Sequence, residues 1–180
     1  EKWLDAQLAM PNAFRTQTYL AQLHQMMVDS LKVKFPANTY TLANVYVGNV
    51  HFDASWFQGA MTAPDAVRWR VAWALSELFV VSRVSAFDDN PYALSSYYDL
   101  LLDNCLGNYR TMLEKVTYHP AMGVYLTYMN NHATDSTAKV YPDENYAREL
   151  MQLFSIGLYK LNLDGSEMRD ANNQLIPTYN

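Results

Sequence analysis

The sequence contains one cysteine, six glycines and no long uninterrupted run of apolar residues. Cys105 cannot form a disulfide within the chain or build a thiolate metal site alone. The cysteine content therefore does not distinguish an oxidising from a reducing compartment. Glycine is present at about half of its usual share of roughly 7%, and because β-rich folds need many turns, its scarcity favours helices. No stretch of about 20 apolar residues is available to cross a bilayer, so we expect no membrane span.

Charged residues are also scarce, and they carry a negative excess. Lys and Arg number 13 against 18 Asp and Glu, which gives a net charge of −5. An acidic chain without a basic stripe is poorly matched to a phosphate backbone, so we expect no nucleic-acid binding. Half of the residues are hydrophobic, with 14 Tyr, 7 Phe and 4 Trp among them. This composition predicts a packed core rather than a disordered chain.

Apolar residues at helical spacing, punctuated by proline and glycine, predict a mainly α fold. The interval 37–50 is ambiguous between helix and extended chain. The helix that begins at Asp65 follows Thr62, a hydroxyl three residues before a carboxylate, which is typical of a capping sequence. This helix is apolar nearly all round, so we expect it to be central. The predicted helices cover 2–10, 14–34, 52–61, 65 to about 83, 91–102, 108–118, 120–129 and 143–156.

One segment near the C-terminus has the pattern of a β-hairpin. Residues 159–163 alternate in polarity and lead into Asp164-Gly165, a strong hairpin turn signal. We therefore predict a small β-hairpin over 159–170, beside an irregular multi-helix bundle. The whole of 1–180 is interpreted as a single helical domain. Because the chain starts and stops without a terminating pattern, we interpret it as a processed or truncated piece of something longer.

Polar residues recur on one face of each of two otherwise apolar helices. The spacing is i, i+3, i+7 in the earlier helix and i, i+4, i+7 in the later one, with an arginine adjacent to the second set. Because an unpaired buried charge is very costly, we expect the charged members to pair across a helix interface. The earlier set is Arg70, Trp73 and Glu77, and the later set is Asn145, Glu149 and Gln152, with Arg148 beside it.

This polar cluster has two interpretations. In the catalytic one, Glu77 or Glu149 is a general acid or base, Arg148 binds an anion, and His119 assists. In the structural one, Arg70, Glu77, Asn145, Arg148, Glu149 and Gln152 form a buried Arg/Glu/Asn network that holds helices together. We favour the structural interpretation, since buried ion pairs perturb pKa values without doing chemistry.

The histidines do not have the spacing of a metal site, and no cofactor is predicted. There is no His-Glu-x-x-His and no pair of histidines at i, i+4. His119 directly precedes Pro120 at a helix junction, where its ring could cap a helix end. Asn162–Ser166 lacks the ligand spacing of a calcium loop and is expected to be a turn. The many Tyr and Asn residues leave glycan binding as a further possibility.

Three blocks of the sequence resemble a bacterial family called domain of unknown function 1800. The first is DAVRWRVAWALSELFVVS at 65–82, similar to the family's arginine-containing "RVA-ALS" helix. The second runs from GNYR at 107–110 to HPAMG at 119–123. The third is PDENYARELMQLF at 142–154, similar to the signature "ENYAREL" helix.

The resemblance implies a mostly helical, uncharacterised exported protein that is periplasmic or extracellular. It also implies that members are usually longer than this chain, so we expect residues 1–180 to be the N-terminal part of a longer family domain. It implies no established activity, so whether the protein is an enzyme stays open. We expect a structural or partner-binding domain, whose partner is the remainder of its own chain or another protein. The alternative is a hydrolase or other enzyme of cell-envelope or polysaccharide metabolism that uses the Glu/Arg cluster.

Overall fold

The computed structural model describes residues 1–84, 86–137 and 139–179, and it confirms the predicted mainly α class. Pro91 and Pro120 begin two of its helices, and Pro11 and Pro36 follow soon after the ends of two others. Within the described residues they are α1 (Lys2–Ala9), α2 (Thr16–Lys34), α3 (Asn49–Thr62), α4 (Ala66–Leu78), α5 (Pro91–Asn104), α6 (Tyr109–Thr117), α7 (Pro120–Tyr125) and α8 (Asn145–Gln152).

The chain divides into two compact units. The first, Glu1–Tyr125, contains α1 to α7, and the second, Leu126–Asn180, contains α8. No helix in the described part of the chain is both long and apolar enough to cross a membrane. The expectation of one domain over 1–180 stays a prediction.

The centre of the first unit is α5, which packs against α2, α3, α4, α6 and α7. Its side chains Leu94, Tyr97, Leu101 and Leu102 are completely buried, and their i, i+3, i+7, i+8 spacing places them along one face. Asn90 caps this helix by accepting a hydrogen bond from the backbone N–H three residues on. The most buried helix is therefore α5, and not the 65–83 helix that the apolar pattern favoured.

The helix α4 is shorter than predicted and begins differently. It ends at Leu78 rather than near Arg83. Asp65 occupies the N-cap position, but its carboxylate makes no capping hydrogen bond. Instead, Asp65 Oδ2 lies 3.0 Å from the Nε of Arg68, and both side chains are buried. The predicted capping sequence is replaced by a buried ion pair one turn into the helix.

The second unit contains one helix followed by turns. In α8 the buried Tyr146 stacks near Tyr128, with their ring centroids 4.3 Å apart. Beyond α8, Asp164-Gly165 forms the expected turn, in which Gly165 has a φ of +84° and donates its N–H to the Asn162 carbonyl at 3.0 Å.

The predicted β-hairpin around this turn is not confirmed. Leu161 pairs with Glu167 as an isolated antiparallel bridge, and the next bridges join Tyr159 to Pro177 and Arg169 to Leu175. A hairpin would next pair Tyr159 with Arg169, but each of these residues bridges to a different segment instead. The residues that the structure describes here therefore form single bridges and no sheet. Side chains here are mostly exposed, so little burial supports longer strands.

Candidate functional site

A groove lined by aromatic side chains lies between α3 and α4 in the first unit. It consists of two hollows of about 350 and 230 Å³, and Trp56, Phe57 and Trp73 line both of them. Because they share these three walls, we treat the hollows as one site and call it the α3–α4 groove. The larger hollow is completed by Phe52, Asp53, Arg83 and Tyr98, and the smaller one by Ala60, Trp69 and Arg70.

The floor of the groove is built by close packing of α4 on α3. The ring centroids of Trp56 and Trp69 are 4.7 Å apart, and those of Trp56 and Trp73 are 6.1 Å apart with the rings inclined by 32°. Gly59 permits this approach, since a Cβ there would overlap the Trp69 ring. Helix interiors disfavour glycine by about 1 kcal/mol relative to alanine, so close packing of two helices explains its presence.

The rim of the groove is exposed although its residues are large and apolar. Trp73 is 50% exposed and Phe57 is 58% exposed, whereas Trp56 and Trp69 beneath them are buried. The indole N–H of Trp69 has no hydrogen-bond partner among the residues that the structure describes. The site therefore presents aromatic surface to solvent over a rigid aromatic base.

Charged groups stand at the two ends of the groove. At the larger hollow, Asp53 on α3 forms an ion pair with Arg83. Burial raises the pKa of Tyr98 in the same hollow, so its hydroxyl stays protonated and can donate at neutral pH. At the smaller hollow, Arg70 is exposed and makes no ion pair or hydrogen bond within the described residues. Each end thus offers hydrogen-bonding groups beside aromatic rings.

The two sets of the predicted polar cluster belong to different compact units. In the first unit Arg70 and Trp73 line the α3–α4 groove, while Glu77 is exposed on α4 and is not among the lining residues. The buried arginine of this helix is Arg68. Arg70 and Glu77, which we expected to be buried, are both exposed.

In the second unit, all four remaining members of the cluster lie on α8. Arg148 is exposed and donates to the side-chain oxygen of Asn145 at 2.9 Å. Gln152 donates to the Tyr179 hydroxyl at 2.6 Å, and Glu149 is half-buried. The pairing of these residues with Arg70 or Glu77 into one network stays a prediction.

Both ring nitrogens of His119 have hydrogen-bond partners. Its Nδ1 accepts the backbone N–H of Ala121 at 3.2 Å, which confirms that the ring caps the start of α7. Since Nδ1 accepts, the proton of the neutral ring lies on Nε2, which is 3.3 Å from the Ser96 hydroxyl oxygen. Burial lowers the pKa of His119, so the neutral form that this arrangement needs is favoured.

Two buried polar centres were not anticipated from the sequence. Arg68 donates to the carbonyls of Met10 and Leu102 at 2.8 and 3.0 Å, in addition to its ion pair, and so joins three parts of the first unit. No sequence pattern distinguished Arg68 from Arg70, because both lie in an apolar helix and only the direction of packing separates them.

The second unanticipated centre is Asp99 on α5. Its carboxylate accepts the backbone N–H of Thr16 at 2.8 Å and that of Gln17 at 3.1 Å, so a residue of one helix caps the N-terminus of another. Burial raises the pKa of Asp99, and these hydrogen bonds act in the opposite direction. Beside it, Asp103 forms an ion pair with Arg15 at the surface.

No group of three His, Cys, Asp or Glu side chains is placed to hold a metal ion within the described ranges. No curated protein and no solved structure matches the chain. The model of the family described as "Protein of unknown function (DUF1800)" matches residues 1–173. That match covers nearly the whole chain, and the three sequence blocks noted above lie within it. The chain therefore belongs to the domain of unknown function 1800 family.

Proposed function

We propose that this protein is a binding domain that takes up a ligand in the α3–α4 groove. The observation that carries the proposal is the half-exposed ring of Trp73, which lies over buried aromatic residues between charged groups. Most small-molecule sites are mainly apolar hollows with a few polar groups that fix orientation. An exposed tryptophan on a rigid base offers a large contact area with little loss of side-chain entropy on binding.

The positions of the catalytic candidates favour binding over catalysis. A general acid or base must reach the reacting group together with its partners. Glu77 lies on the same helix as Trp73 but does not line the groove. Both ring nitrogens of His119 are engaged by Ala121 and Ser96. The partner-binding interpretation of the sequence is therefore kept, with the groove in place of the polar network as the contact surface.

We also propose that the protein is exported from the cytoplasm. Resemblance to the family supports export to the periplasm or the outside of the cell, where an acidic domain with an exposed aromatic groove can meet ligands of the envelope. This location is independent of the groove. It is tested separately by expressing the full-length gene product and comparing its amount in periplasmic and cytoplasmic fractions.

Titration of the tryptophan fluorescence of the purified protein tests the proposed binding. The probes are maltohexaose, oligogalacturonate and phenylacetate, which each present a flat apolar face but differ in charge and ring type. We expect at least one probe to bind with a dissociation constant of about 1 mM or tighter, equivalent to about −4 kcal/mol.

Two variants locate that binding. Trp73→Ala is expected to weaken it about tenfold, which corresponds to about 1.4 kcal/mol. Trp3→Ala is the matched control, because Trp3 on α1 is 65% exposed and does not line the groove. The proposal is wrong if none of the three probes binds, or if both variants weaken binding equally.

A further inference from the structure

We infer that the ligand of the α3–α4 groove is a saccharide that carries a carboxylate, with a sugar ring on Trp73 and the carboxylate at Arg70. This inference rests on the proposed binding function and adds the chemical class of the ligand. It is carried by three features of the groove: the shape of the aromatic surface, the hydrogen-bonding groups at one end, and the unpaired charge at the other.

The aromatic surface suits a flat ring with polarised C–H bonds. The faces of aromatic rings carry negative potential, and they attract the positive C–H groups on the face of a pyranose. The Trp73 side chain is half exposed, and the buried Trp56 ring beneath it is inclined to it by only 32°. A sugar ring can therefore lie against Trp73 while its edge reaches the side walls.

The larger hollow supplies partners for hydroxyl groups. The carboxylate of Asp53 accepts hydrogen bonds, the guanidinium of Arg83 donates them, and the protonated Tyr98 hydroxyl does either. A purely apolar ligand would cover the Asp53–Arg83 ion pair and remove water from its remaining hydrogen-bonding positions, which is unfavourable. Vicinal hydroxyls replace the lost water on both sides of the ion pair, so the hollow favours a polyhydroxylated ligand.

The smaller hollow supplies a site for an anion. Arg70 lines it beside Trp69 and Trp73 and is not engaged by any acidic side chain of the described residues. Glu77 lies seven residues further along α4, about 10 Å away along the helix axis, and Asp53 is paired with Arg83. Arg70 therefore has no ion-pair partner among the described residues, and a guanidinium binds a planar carboxylate with two parallel hydrogen bonds.

The inference is tested with two forms of one ligand. Oligogalacturonate and its methyl ester have the same length and the same sugar rings, but the ester has no negative charge. We expect oligogalacturonate to bind at least tenfold more tightly than the ester, and raising the salt concentration to narrow this difference, because exposed charges are screened. Isothermal titration calorimetry measures both dissociation constants.

Variants assign the two contacts. Arg70→Gln is expected to weaken oligogalacturonate about tenfold and leave the ester unchanged, whereas Trp73→Ala weakens both ligands. Arg110→Gln is the matched control, because Arg110 is an exposed arginine of α6 outside the groove, and it should change neither. Unchanged circular dichroism spectra and melting temperatures show that the variants are folded.

The other outcomes distinguish this inference from the proposed function. If acid and ester bind equally and Arg70→Gln has no effect, the role of the carboxylate is refuted while the binding function stands. If only phenylacetate binds, and Trp73→Ala abolishes that binding, the groove accepts aromatic acids and the saccharide assignment is overturned. If no probe binds, both proposals fail together.

Discussion

Removal of the Asp99 carboxylate is expected to destabilise the first unit more than removal of any surface acid. Asp99 lies on α5 and caps α2, so it joins the most buried helix to the longest one. In Asp99→Ala the backbone N–H groups of Thr16 and Gln17 lose their acceptor. Thr16 is buried, so water does not readily replace the carboxylate there, whereas Gln17 is exposed.

The magnitude follows from the contacts that are lost. Oδ1 accepts the backbone N–H of Thr16 at 2.8 Å, and Oδ2 accepts that of Gln17 at 3.1 Å. The Thr16 hydroxyl has a second acceptor in the Ser95 carbonyl at 2.9 Å, so it is not orphaned. Two hydrogen bonds to a charged group contribute about 1.5–3 kcal/mol each, and burial of the charge, which raises the pKa of Asp99, offsets part of this sum. We expect a net loss of about 3 kcal/mol for Asp99→Ala.

Asp99→Asn and Asp103→Ala calibrate this result. An asparagine keeps one acceptor oxygen for Thr16 but turns an amide N–H₂ towards Gln17, so we expect a loss of about 1 kcal/mol. Asp103 lies one turn later in α5, and its exposed ion pair with Arg15 should contribute less than about 1 kcal/mol.

The assay is urea unfolding followed by circular dichroism. All variants must share the same dependence of the free energy of unfolding on urea concentration, so that their midpoints report stability alone. Hydrogen exchange adds a local measurement, since the amide of Gln17 should exchange faster in Asp99→Ala. The reasoning is refuted if Asp99→Ala and Asp103→Ala lose the same stability, or if exchange at Gln17 does not change.

Three further predictions concern the packing and the buried hydrogen bonds of the first unit. Gly59→Ala should lower stability by about 1–3 kcal/mol in urea unfolding, because the new Cβ overlaps the Trp69 ring; an unchanged midpoint would contradict this packing. Since burial lowers the pKa of His119 below the ordinary 6.5, the unfolded chain takes up the proton first. The His119 contribution is therefore complete above pH 6.5 and is lost as the pH falls through 6.5 towards the folded-state pKa. When the free energy of unfolding is measured in urea between pH 7.5 and pH 5, it should fall less with falling pH for His119→Gln than for the wild type. An equal pH dependence of the two proteins would exclude this role. Tyr97→Phe removes a buried hydroxyl that donates to a carbonyl at 2.7 Å, and should cost about 1 kcal/mol in the same assay; a stability equal to that of the wild type would count against it.

Most of the helices were predictable because their boundaries are marked by local chemistry. Pro91 and Pro120 begin α5 and α7, as expected for the first turn of a helix. Pro11 follows soon after α1, since its ring cannot continue the helix. The early end of α7 has a local cause as well: Thr127 adopts a φ of +60°, a left-handed conformation that a helix cannot contain.

The candidate site was predictable only in part. The spacing of Arg70 and Trp73 on one face of α4 was visible in the sequence, and both residues line the groove. Their partners were not visible, because Phe57 and Asp53 come from α3, and no local pattern states which face of α3 meets α4. Gly59 was the one available signal, since a glycine inside a helix indicates close approach of another element.

The groove also depends on the point at which α4 ends. Arg83 would lie about 7.5 Å beyond Leu78 along the axis of a continued helix. Instead the chain leaves the helix at Phe79, which is fully buried and whose carbonyl accepts the hydroxyl of Tyr97 at 2.7 Å. The chain is then free to turn, and Arg83 pairs with Asp53 at one end of the groove. Tyr97 does not line the groove, yet it fixes the helix end from which Arg83 departs. A hydrogen bond from the centre of α5 thereby helps to set where the polar end of the α3–α4 groove is formed.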